Sequence, residues 1–434
     1  MKVSLVVPAD PPGVNAFNQV PIGGLYTATQ VRDQGDEVTF FDLRRRTDLD
    51  AAYAEVASAE LVVTFSTDYD LAQCYPSLTS AAECVRRIKT AAGPVPVVCC
   101  GSHATVSAAL TRSYTGADGV VLGEFEFAVP ALVRQLRSGA ALSDVWPLDG
   151  TPRVATEAEL AALGTPAYDL VSMHGYASEG FVDGEMRRVS SGLVLANRGC
   201  PFGCNFCYLF FGRRLRRRPV AATLEELRTL RNEYGIGHFF FLDYTFTLDE
   251  SWVQSLCDGI NAAGLDISWI CQTRVDCLST PKLKLMKEAG CAGVWLGVES
   301  PELEQRRYLS KGRIAFEDIE EGVSKIREAG IEVLTFVMVG LPNETESSLR
   351  SLNAWLESSQ VYYSLSTFQR RLGTPLAKEV RPMAADGWEH FNAPSEFLGE
   401  SRLRIADLSW FTEFHAANPR RVANIMRRHR EPSG

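Results

Sequence analysis

The chain has 434 residues, too many for one ordinary hydrophobic core, so two domains and a tail are expected. Its formal net charge of −9, from 53 acidic and 44 basic residues, argues against a general nucleic-acid binder and leaves a small molecule, a peptide or a protein as partner. No apolar run is long enough to predict a membrane span, and the first one is too short for a secretory signal. Eleven cysteines, an odd number, favour reduced thiols in a cytoplasm.

Residues 1–140 alternate short apolar runs with helical patterns. The predicted strands are KVSLVVP, EVTFFDL, ELVVTFS, VPVVCCGSH and DGVVLGE. Apolar strands separated by helices indicate a parallel sheet covered on both faces, and such sheets bind ligands at the carboxyl ends of their strands. Small and polar residues occupy those ends, namely Ser66, Thr67, Gly101, Ser102, His103, Gly123 and Glu124. They predict a ligand-binding edge, with ordinary tight turns as the alternative.

The rest of the chain divides into three predicted parts. Residues 141–190 are irregular and are predicted to form a linker with one hairpin, which turns at Asp183-Gly184. A second alternation over 191–385 predicts six strand–helix units, a partial barrel of the TIM type. Its strands are LVLANR, HFFFLD, ISWICQ, GVWLGVE, VLTFVMVG and VYYSLS. Residues 386–434 are too few for a domain, and we expect them to cap the barrel.

Three cysteines, Cys200, Cys204 and Cys207, stand at C-x3-C-x2-C spacing after the first barrel strand. The spacing also fits one face of a helix, but Gly199 and Pro201 disfavour a helix there. Zinc usually takes four ligands, and no second cysteine pair or suitable histidine lies nearby. A [4Fe–4S] cluster held by three cysteines keeps one iron open to an outside ligand. We therefore interpret the loop as a cluster site at the face where barrel chemistry occurs.

The motif CPFGCNFC resembles the C-x3-C-x-aromatic-C signature of radical S-adenosylmethionine (SAM) enzymes, with Phe206 as the aromatic residue. The segments RRRPV, FFFLDYTFTLD, QTRVD, LGVESP and MVGLPNET are similar to later motifs in members with an N-terminal cobalamin domain. CGSHATV and GVVLGEFE resemble motifs of that domain itself. The resemblance implies an α/β protein: a doubly wound, Rossmann-like cobalamin-binding domain, then a linker and a partial (β/α)6 TIM-barrel radical SAM domain.

The resemblance also implies three cofactors, a [4Fe–4S] cluster, SAM and cobalamin. It would place Phe206 near the adenine of SAM and a second group of residues near its ribose or methionine end, namely Gln272, Arg274, Glu299 and Ser300. Gly340 would let the backbone approach the adenine; the alternative is that this glycine merely forms a turn. For Glu299 the alternative is a contact with the start of the next helix.

Four further positions bear on the substrate and the corrinoid. Arg216 and Arg218 best match the family's arginine segment and could pair with an anionic group at the site, with a solvated arm as the alternative. Tyr244 replaces the second aspartate of a family Asp-Asp pair and could donate a hydrogen bond, transfer a proton or simply pack in the core. His103 matches a family histidine that we expect to contact the corrin or its tail, and not the cobalt, because the motif that supplies a lower ligand is absent from the sequence.

The function implied is a cobalamin-dependent radical SAM methyltransferase. In that chemistry one SAM methylates cobalamin and another yields a 5′-deoxyadenosyl radical, so that methylcobalamin methylates an unactivated carbon or phosphorus of a biosynthetic intermediate. Two alternatives are a non-methylating rearrangement, cyclisation or oxidation with the same cofactors, and a non-catalytic corrinoid or cluster sensor or carrier. The expected partners are a one-electron reductant of the flavodoxin or ferredoxin type and a small-molecule or peptide substrate. Arg370 and Arg371, near the predicted barrel mouth, favour an anionic substrate.

Overall fold

The computed structural model describes residues 1–9, 19–69, 78–92, 95–142, 150–371, 373–376, 392–394, 403 and 405–422. Within these residues the two largest β-sheets are parallel, and helices connect their strands. The first sheet comes from the N-terminal third of the chain and the second from the remainder. Both predicted α/β halves are therefore confirmed.

The first sheet is a doubly wound sheet with strand order β2-β1-β3-β4-β5. Its strands are β1 (Lys2–Val7), β2 (Glu37–Asp42), β3 (Leu61–Phe65), β4 (Val97–Cys100) and β5 (Gly119–Val121). Its helices are α1 (Ile22–Arg32), α2 (Leu49–Val56), α3 (Thr79–Ala92), α4 (Ser102–Val106), α5 (Ala108–Thr115) and α6 (Phe125–Arg137). Every residue of β3, β4 and β5 is buried, which explains their continuous apolar sequence. The winding direction reverses between β1 and β3, and the carboxyl ends of those strands form the crevice where such sheets bind ligands.

The predicted linker is folded against the second sheet. It contains helix α7 (Glu157–Ala161) and an antiparallel hairpin of β6 (Ala177–Val182) and β7 (Glu185–Ser190). Asp183 and Gly184 both have positive φ, 52° and 78°, as a two-residue type I′ turn requires, so the predicted hairpin is confirmed. The Phe181 ring covers Gly293, where a Cβ atom would lie 2.3 Å from it. A side chain at that position would push the hairpin off the sheet.

The second sheet contains seven parallel strands in the order β18-β15-β14-β13-β12-β11-β8. The six predicted strands are β8 (Gly192–Val194), β11 (His238–Phe241), β12 (Ser268–Thr273), β13 (Cys291–Glu299), β14 (Glu332–Val339) and β15 (Tyr362–Thr367). Short strands β9 (Asn197–Arg198), β10 (Arg216–Arg217), β16 (Gln369–Arg371) and β17 (Asn392–Pro394) form two separate ladders. The helices are α8 (Val220–Glu233), α9 (Glu250–Ala262), α10 (Thr280–Glu288), α11 (Leu303–Tyr308), α12 (Phe316–Glu328) and α13 (Glu346–Ser359). This is the predicted partial barrel.

The described part of the C-terminal segment extends the barrel sheet. Helix α14 (Ser409–Ala417) leads to the two-residue strand β18 (Arg421–Val422), which pairs with β15. The hydroxyl of Tyr363 lies 2.8 Å from Nδ1 of His415 and ties the helix to the sheet. The tail thus covers an edge strand that would otherwise present unpaired backbone groups. Among the described residues, no helix is both long enough and apolar enough to cross a membrane.

Candidate active site

The three cysteines lie in a loop whose base is closed by a two-residue ladder. Strands β9 and β10 run antiparallel, with Arg198 opposite Arg216 and Asn197 opposite Arg217, and we call this ladder the neck. At Gly199, φ is +88° and a Cβ atom would lie only 2.1 Å from the backbone carbonyl oxygen of Arg214, just before β10. Only glycine fits there, so the chain enters the loop through a closely packed opening.

Inside the loop, Cys200 and Cys204 are buried and Cys207 is half-buried. The guanidinium of Arg274 donates a hydrogen bond to Sγ of Cys204 at 3.4 Å. Burial raises the pKa of the Cys204 thiol, against the opposing effect of the cations of Lys311 and Arg274. Among the described residues, no three His, Cys, Asp or Glu side chains are placed to hold a single metal ion. The cysteines of a four-iron cluster each bind a different iron, so three thiols in a closed loop fit that group.

A cavity of about 620 Å³ opens beside the cysteine loop. Its lining includes Phe202 and Gly203 from the loop and four cationic residues, Arg274, Arg307, Lys311 and Arg313. The Arg274 guanidinium lies 3.8 Å from the centre of the Phe202 ring, which fixes this cation at the cavity wall. Asp276 is the one acidic residue of the lining and pairs with Arg274 at 2.7 Å, while Lys311 and Arg307 pair with Glu299 and Glu304. The lining therefore holds more cationic than acidic side chains, but three of its four cations already have a carboxylate partner.

Glu299 ends strand β13 in a backbone conformation that is rare for a residue other than glycine, with φ of +66°. Its Oε1 accepts a hydrogen bond from Nζ of Lys311 at 2.7 Å, and both side chains are buried. The same ammonium donates to the Gly297 carbonyl at 3.0 Å and lies 5.7 Å from the centre of the Phe206 ring. The partner of Glu299 is therefore a cation beside the cysteine loop and not the start of the next helix.

Gly340 follows strand β14 in a tight turn, with φ of +80°. Its N–H donates to the carboxylate of Glu344, and the N–H of Leu341 donates to the same carboxylate at 3.3 Å. Burial raises the pKa of Glu344 to about 7. The turn is thus built around a buried carboxyl group that the sequence analysis missed, although it lies in the quoted segment MVGLPNET. An approach of Gly340 to an adenine ring remains a prediction.

Gln272 and Ser300 also lie at this edge of the barrel. The Gln272 side chain is half-buried and donates to the Leu242 carbonyl at 3.4 Å. Ser300 is buried, and its hydroxyl accepts from the N–H of Glu302 at 3.1 Å. A contact of either residue with SAM remains a prediction.

Tyr244 and the preceding Asp243 follow strand β11 at the same edge. The Tyr244 side chain is half-buried, and its ring centre lies 5.5 Å from that of Phe211, next to the cysteine loop. Asp243 is buried and accepts hydrogen bonds from the N–H groups of Ala196 and Asn197, at 3.1 and 2.7 Å. Burial raises the pKa of Asp243 to about 7. Tyr244 is a predicted site residue and Asp243 is not, although Asp243 is the aspartate that remains from the family's Asp-Asp pair.

At the edge of the first sheet, the structure brings the predicted polar residues together. The N–H of Ser102 donates to Oγ1 of Thr67 at 2.8 Å, and the Ser66 hydroxyl donates to the Cys100 carbonyl at 2.9 Å. Gly101 has φ of +114°, and a Cβ atom there would lie 2.7 Å from both hydroxyl oxygens. His103 is fully buried in the first turn of α4. We call Ser66, Thr67 and Ser102 the hydroxyl patch; its hydroxyl and peptide groups fit a large ligand held by hydrogen bonds, as cobalamin would be.

The side chains of Arg370 and Arg371 lie outside the described part of the structure. The same holds for residues 10–18 and 70–77, which follow β1 and β3. An anionic substrate at the barrel mouth therefore remains a prediction.

Gly123 and Glu124 contact other parts of the chain. Gly123 has φ of +78°, and a Cβ atom there would lie 2.1 Å from the Arg153 carbonyl oxygen. The two carboxylate oxygens of Glu124 contact two arginines of the neck: Oε2 lies 2.5 Å from Arg198 and Oε1 lies 2.6 Å from Arg216. Both positions are predicted to bind a cofactor. In the structure they contact the linker and the neck, and a contact with cobalamin remains a prediction.

The arginine-rich segment after the cysteines is divided between buried and exposed side chains. Arg216 and Arg218 are buried, with 3% and 1% of their surface exposed, so a solvated arm does not describe them. Arg218 pairs with Glu226 at 2.6 Å. By contrast, Arg213, Arg214 and Arg217 are exposed. The two predicted catalytic arginines thus bind carboxylates of the chain itself, and a role in catalysis remains a prediction.

Comparison with known proteins identifies a family model in each half of the chain. Residues 194–356 match the radical SAM superfamily, and residues 14–133 match the B12 binding domain. A solved structure of the radical S-adenosylmethionine methyltransferase TsrM from Kitasatospora setae, with cobalamin and a [4Fe–4S] cluster bound, shares the fold. Its TM-score is 0.69 at 21% sequence identity, over 87% of this chain and 77% of that one.

Two curated relatives are similar in sequence. An uncharacterized methyltransferase of Pyrococcus horikoshii is 30% identical over 386 residues, 85% of this chain and 81% of the relative. An anaerobic magnesium-protoporphyrin IX monomethyl ester cyclase of Cereibacter sphaeroides is 32% identical over 157 residues, 35% of this chain and 26% of the cyclase. The chain therefore belongs to the cobalamin-dependent family of radical SAM enzymes, which joins a B12-binding domain to a radical SAM barrel.

Proposed function

We propose that this enzyme is a methyltransferase that holds a [4Fe–4S] cluster at Cys200, Cys204 and Cys207 and uses SAM and cobalamin. The observation that carries the proposal is a closed three-thiol loop at the carboxyl edge of the barrel sheet, joined through its neck to the carboxyl edge of the B12-binding domain. When bound, the cluster and SAM supply a 5′-deoxyadenosyl radical, and cobalamin supplies the methyl group. The acceptor is an unactivated carbon or phosphorus of a small-molecule or peptide intermediate.

The chain's own residues would bind and orient SAM at the barrel edge. Lys311 holds the Glu299 carboxylate at a fixed position, where it can accept a hydrogen bond from the ribose hydroxyls or the ammonium of SAM. Arg274, whose guanidinium pairs with Asp276 and donates to the Cys204 sulfur, would tune the cluster through its hydrogen bond to sulfur and add positive charge near the carboxylate of SAM. The half-buried Tyr244 is our candidate for the residue that contacts the substrate.

Burial in the loop also limits access of water to a reactive intermediate. Cys200 and Cys204 have only 7% and 9% of their surface exposed, and the aromatic Phe210 and Phe211 are buried beside them. An enclosed site strengthens electrostatic interactions and suppresses side reactions of a radical. An external one-electron reductant of the flavodoxin or ferredoxin type would supply the electron. The cationic cavity beside the loop supports an anionic group on either the substrate or SAM.

The test is an anaerobic assay of the full chain with reconstituted cluster and hydroxocobalamin. We expect a bound corrinoid in the ultraviolet–visible spectrum, and both 5′-deoxyadenosine and S-adenosylhomocysteine after addition of SAM and titanium(III) citrate. A chain that binds no corrinoid, or that cleaves no SAM, would contradict the proposal.

A second candidate function keeps the three cofactors but transfers no methyl group. The local similarity to a cyclase, over 157 residues, favours it. It predicts 5′-deoxyadenosine with bound corrinoid but without S-adenosylhomocysteine. The two products, measured in the same reaction, separate the candidates.

A further inference from the structure

A buried carboxylate joins the two strands of the neck to the B12-binding domain. Glu124 stands at the carboxyl end of β5, just before α6, and its side chain does not cap that helix. One oxygen accepts from Nη1 of Arg198 at 2.5 Å, and the other lies 2.6 Å from Nη1 of Arg216. Because these arginines are opposite each other in the neck, a single carboxylate holds both ends of the cysteine loop.

A second carboxylate from the same turn reinforces this contact. Glu126 pairs with Arg198 and accepts a hydrogen bond from the hydroxyl of Tyr69. The Arg198 guanidinium also lies 5.1 Å from the centre of the Phe211 ring and 5.4 Å from that of Tyr69. Arg198, Glu124 and Glu126 have fully buried side chains. We call Glu124, Glu126, Arg198 and Arg216 the bridge.

Arg218, two residues after Arg216, makes a parallel contact with the first domain. It pairs with Glu226 at 2.6 Å and donates to the hydroxyl of Tyr26, in helix α1, at 2.6 Å. The Tyr26 hydroxyl in turn donates to Glu226 at 2.7 Å. Arg217, between the two, is exposed and pairs with Glu157 at 3.3 Å. Alternate residues of one short segment therefore point to the domain boundary and to solvent.

Buried ion pairs fix the relative position of two domains more narrowly than apolar packing does. Hydrogen bonds between charged groups are short and directional, and a shift of either partner leaves a charge unpaired in a medium that does not solvate it. An apolar boundary tolerates small sliding motions at little cost. The bridge therefore holds the two domains in one relative position, whereas the exposed Arg217–Glu157 pair contributes little to holding them there.

We infer that the residues of the bridge are positioning residues. They fix the position of the cysteine loop relative to the edge of the first domain where cobalamin would bind. The inference rests on the proposed function. Methyl transfer from SAM to a reduced corrinoid breaks the sulfur–methyl bond, uses the electron pair of the corrinoid and releases S-adenosylhomocysteine. This step therefore requires the correct relative position of both domains. Reductive cleavage breaks the sulfur–C5′ bond with one electron from the reductant and releases methionine, so it requires the barrel alone.

The test compares Glu124→Gln with the matched control Glu157→Gln in the full chain, loaded with cluster and hydroxocobalamin and reduced with titanium(III) citrate. We expect Glu124→Gln to lower formation of S-adenosylhomocysteine about 100-fold, since a misplacement near 1 Å can cost that much, and to leave formation of 5′-deoxyadenosine unchanged. Pulsed electron paramagnetic resonance supplies a second readout, the distance between cob(II)alamin and the reduced cluster. That distance should shift or broaden in Glu124→Gln and stay unchanged in Glu157→Gln.

Arg216→Lys serves as a second variant should Glu124→Gln not fold. A lysine keeps the charge but cannot at once reach Glu124 and the carbonyl oxygens of Ala155 and Phe211, each of which Arg216 contacts at 2.7 Å. The same split between the two products is expected.

Three results would overturn the inference in a chain whose unmodified form makes both products. They are an equal loss of both products, an unchanged distance between the cofactors, and a loss of bound cobalamin alone, which would make Glu124 a cofactor contact. Absence of S-adenosylhomocysteine from the unmodified chain would instead contradict the proposed function.

Discussion

The hydroxyl patch of the first sheet and the cysteine edge of the barrel sheet differ in charge. In the first sheet the edge residues Ser66, Thr67 and Ser102 are neutral and bond through hydroxyl and peptide groups. In the barrel the corresponding edge carries thiols, the buried Glu299–Lys311 pair and the Arg274 guanidinium. A neutral patch suits a large ligand held by many hydrogen bonds, whereas the charged barrel edge suits an anionic cluster and the zwitterionic end of SAM. The difference shows that an α/β topology fixes where a site lies, at the carboxyl ends of the strands. The residues at those ends decide which chemistry the site supports.

The largest effect on activity should come from removal of a cluster ligand at the barrel edge. Cys204→Ser is expected to abolish cluster binding and SAM cleavage, because a serine oxygen replaces the soft sulfur ligand. Iron content, cluster absorbance and 5′-deoxyadenosine measure the loss. Bound cobalamin should remain, and Cys277→Ser, at a half-buried cysteine outside the loop, should retain all activities. Retention of the cluster in Cys204→Ser would refute its assignment as a ligand.

A pH effect on stability should come from Asp243. Burial raises its pKa to about 7, above the ordinary value near 3.9 in an unfolded chain. The folded state then binds the proton more tightly, so its stability falls as pH rises from about 4 to about 7 and levels off above. Asp243→Asn should remove roughly 4 kcal/mol of this fall, measured by urea unfolding across that range. Asp266→Asn, at an exposed position, should keep it, and a slope that persists in Asp243→Asn would contradict the prediction.

Removal of the cation beside the cysteine loop should weaken SAM binding. Lys311→Met leaves the Glu299 carboxylate buried without its partner, so the group loses its fixed position or takes up a proton. We expect the dissociation constant for SAM to rise about 30-fold, corresponding to about 2 kcal/mol. Anaerobic calorimetry measures it. Arg313→Met, an exposed cation of the same cavity, should change it little, and equal effects of the two variants would argue for general charge and against the specific pair.

The smallest effect should come from the hydroxyl patch. Thr67→Val removes the hydroxyl that accepts from the Ser102 N–H, at a cost of about 1 kcal/mol for one hydrogen bond. Cobalamin affinity should fall about fivefold, as measured by absorbance titration, while the cluster and SAM cleavage remain. Thr67→Ser keeps the hydroxyl and should restore the affinity. A simultaneous loss of the cluster would show that the two edges are not independent.

The elements of both sheets could be predicted because buried parallel strands are continuous apolar runs, such as LVVTF in β3. The cysteine loop could also be predicted, since three thiols among glycine and proline leave few structural alternatives. The ion pairs were not: Arg198 is 74 residues from Glu124, and Lys311 is 12 residues from Glu299. A charged pair between distant segments has no periodicity, so its two members look like ordinary surface charges. Strand β18 was missed for a different reason, because two residues carry no pattern at all.

The bridge has a consequence for how the protein is made. Glu124 leaves the ribosome 74 residues ahead of Arg198, and N-terminal domains generally fold first during synthesis. The two strands of the neck thus emerge next to a carboxylate that is already in place, and the first domain acts as a template for the second. We expect iron–sulfur insertion to follow this docking step, so a cell that makes the barrel alone would accumulate it without its metal.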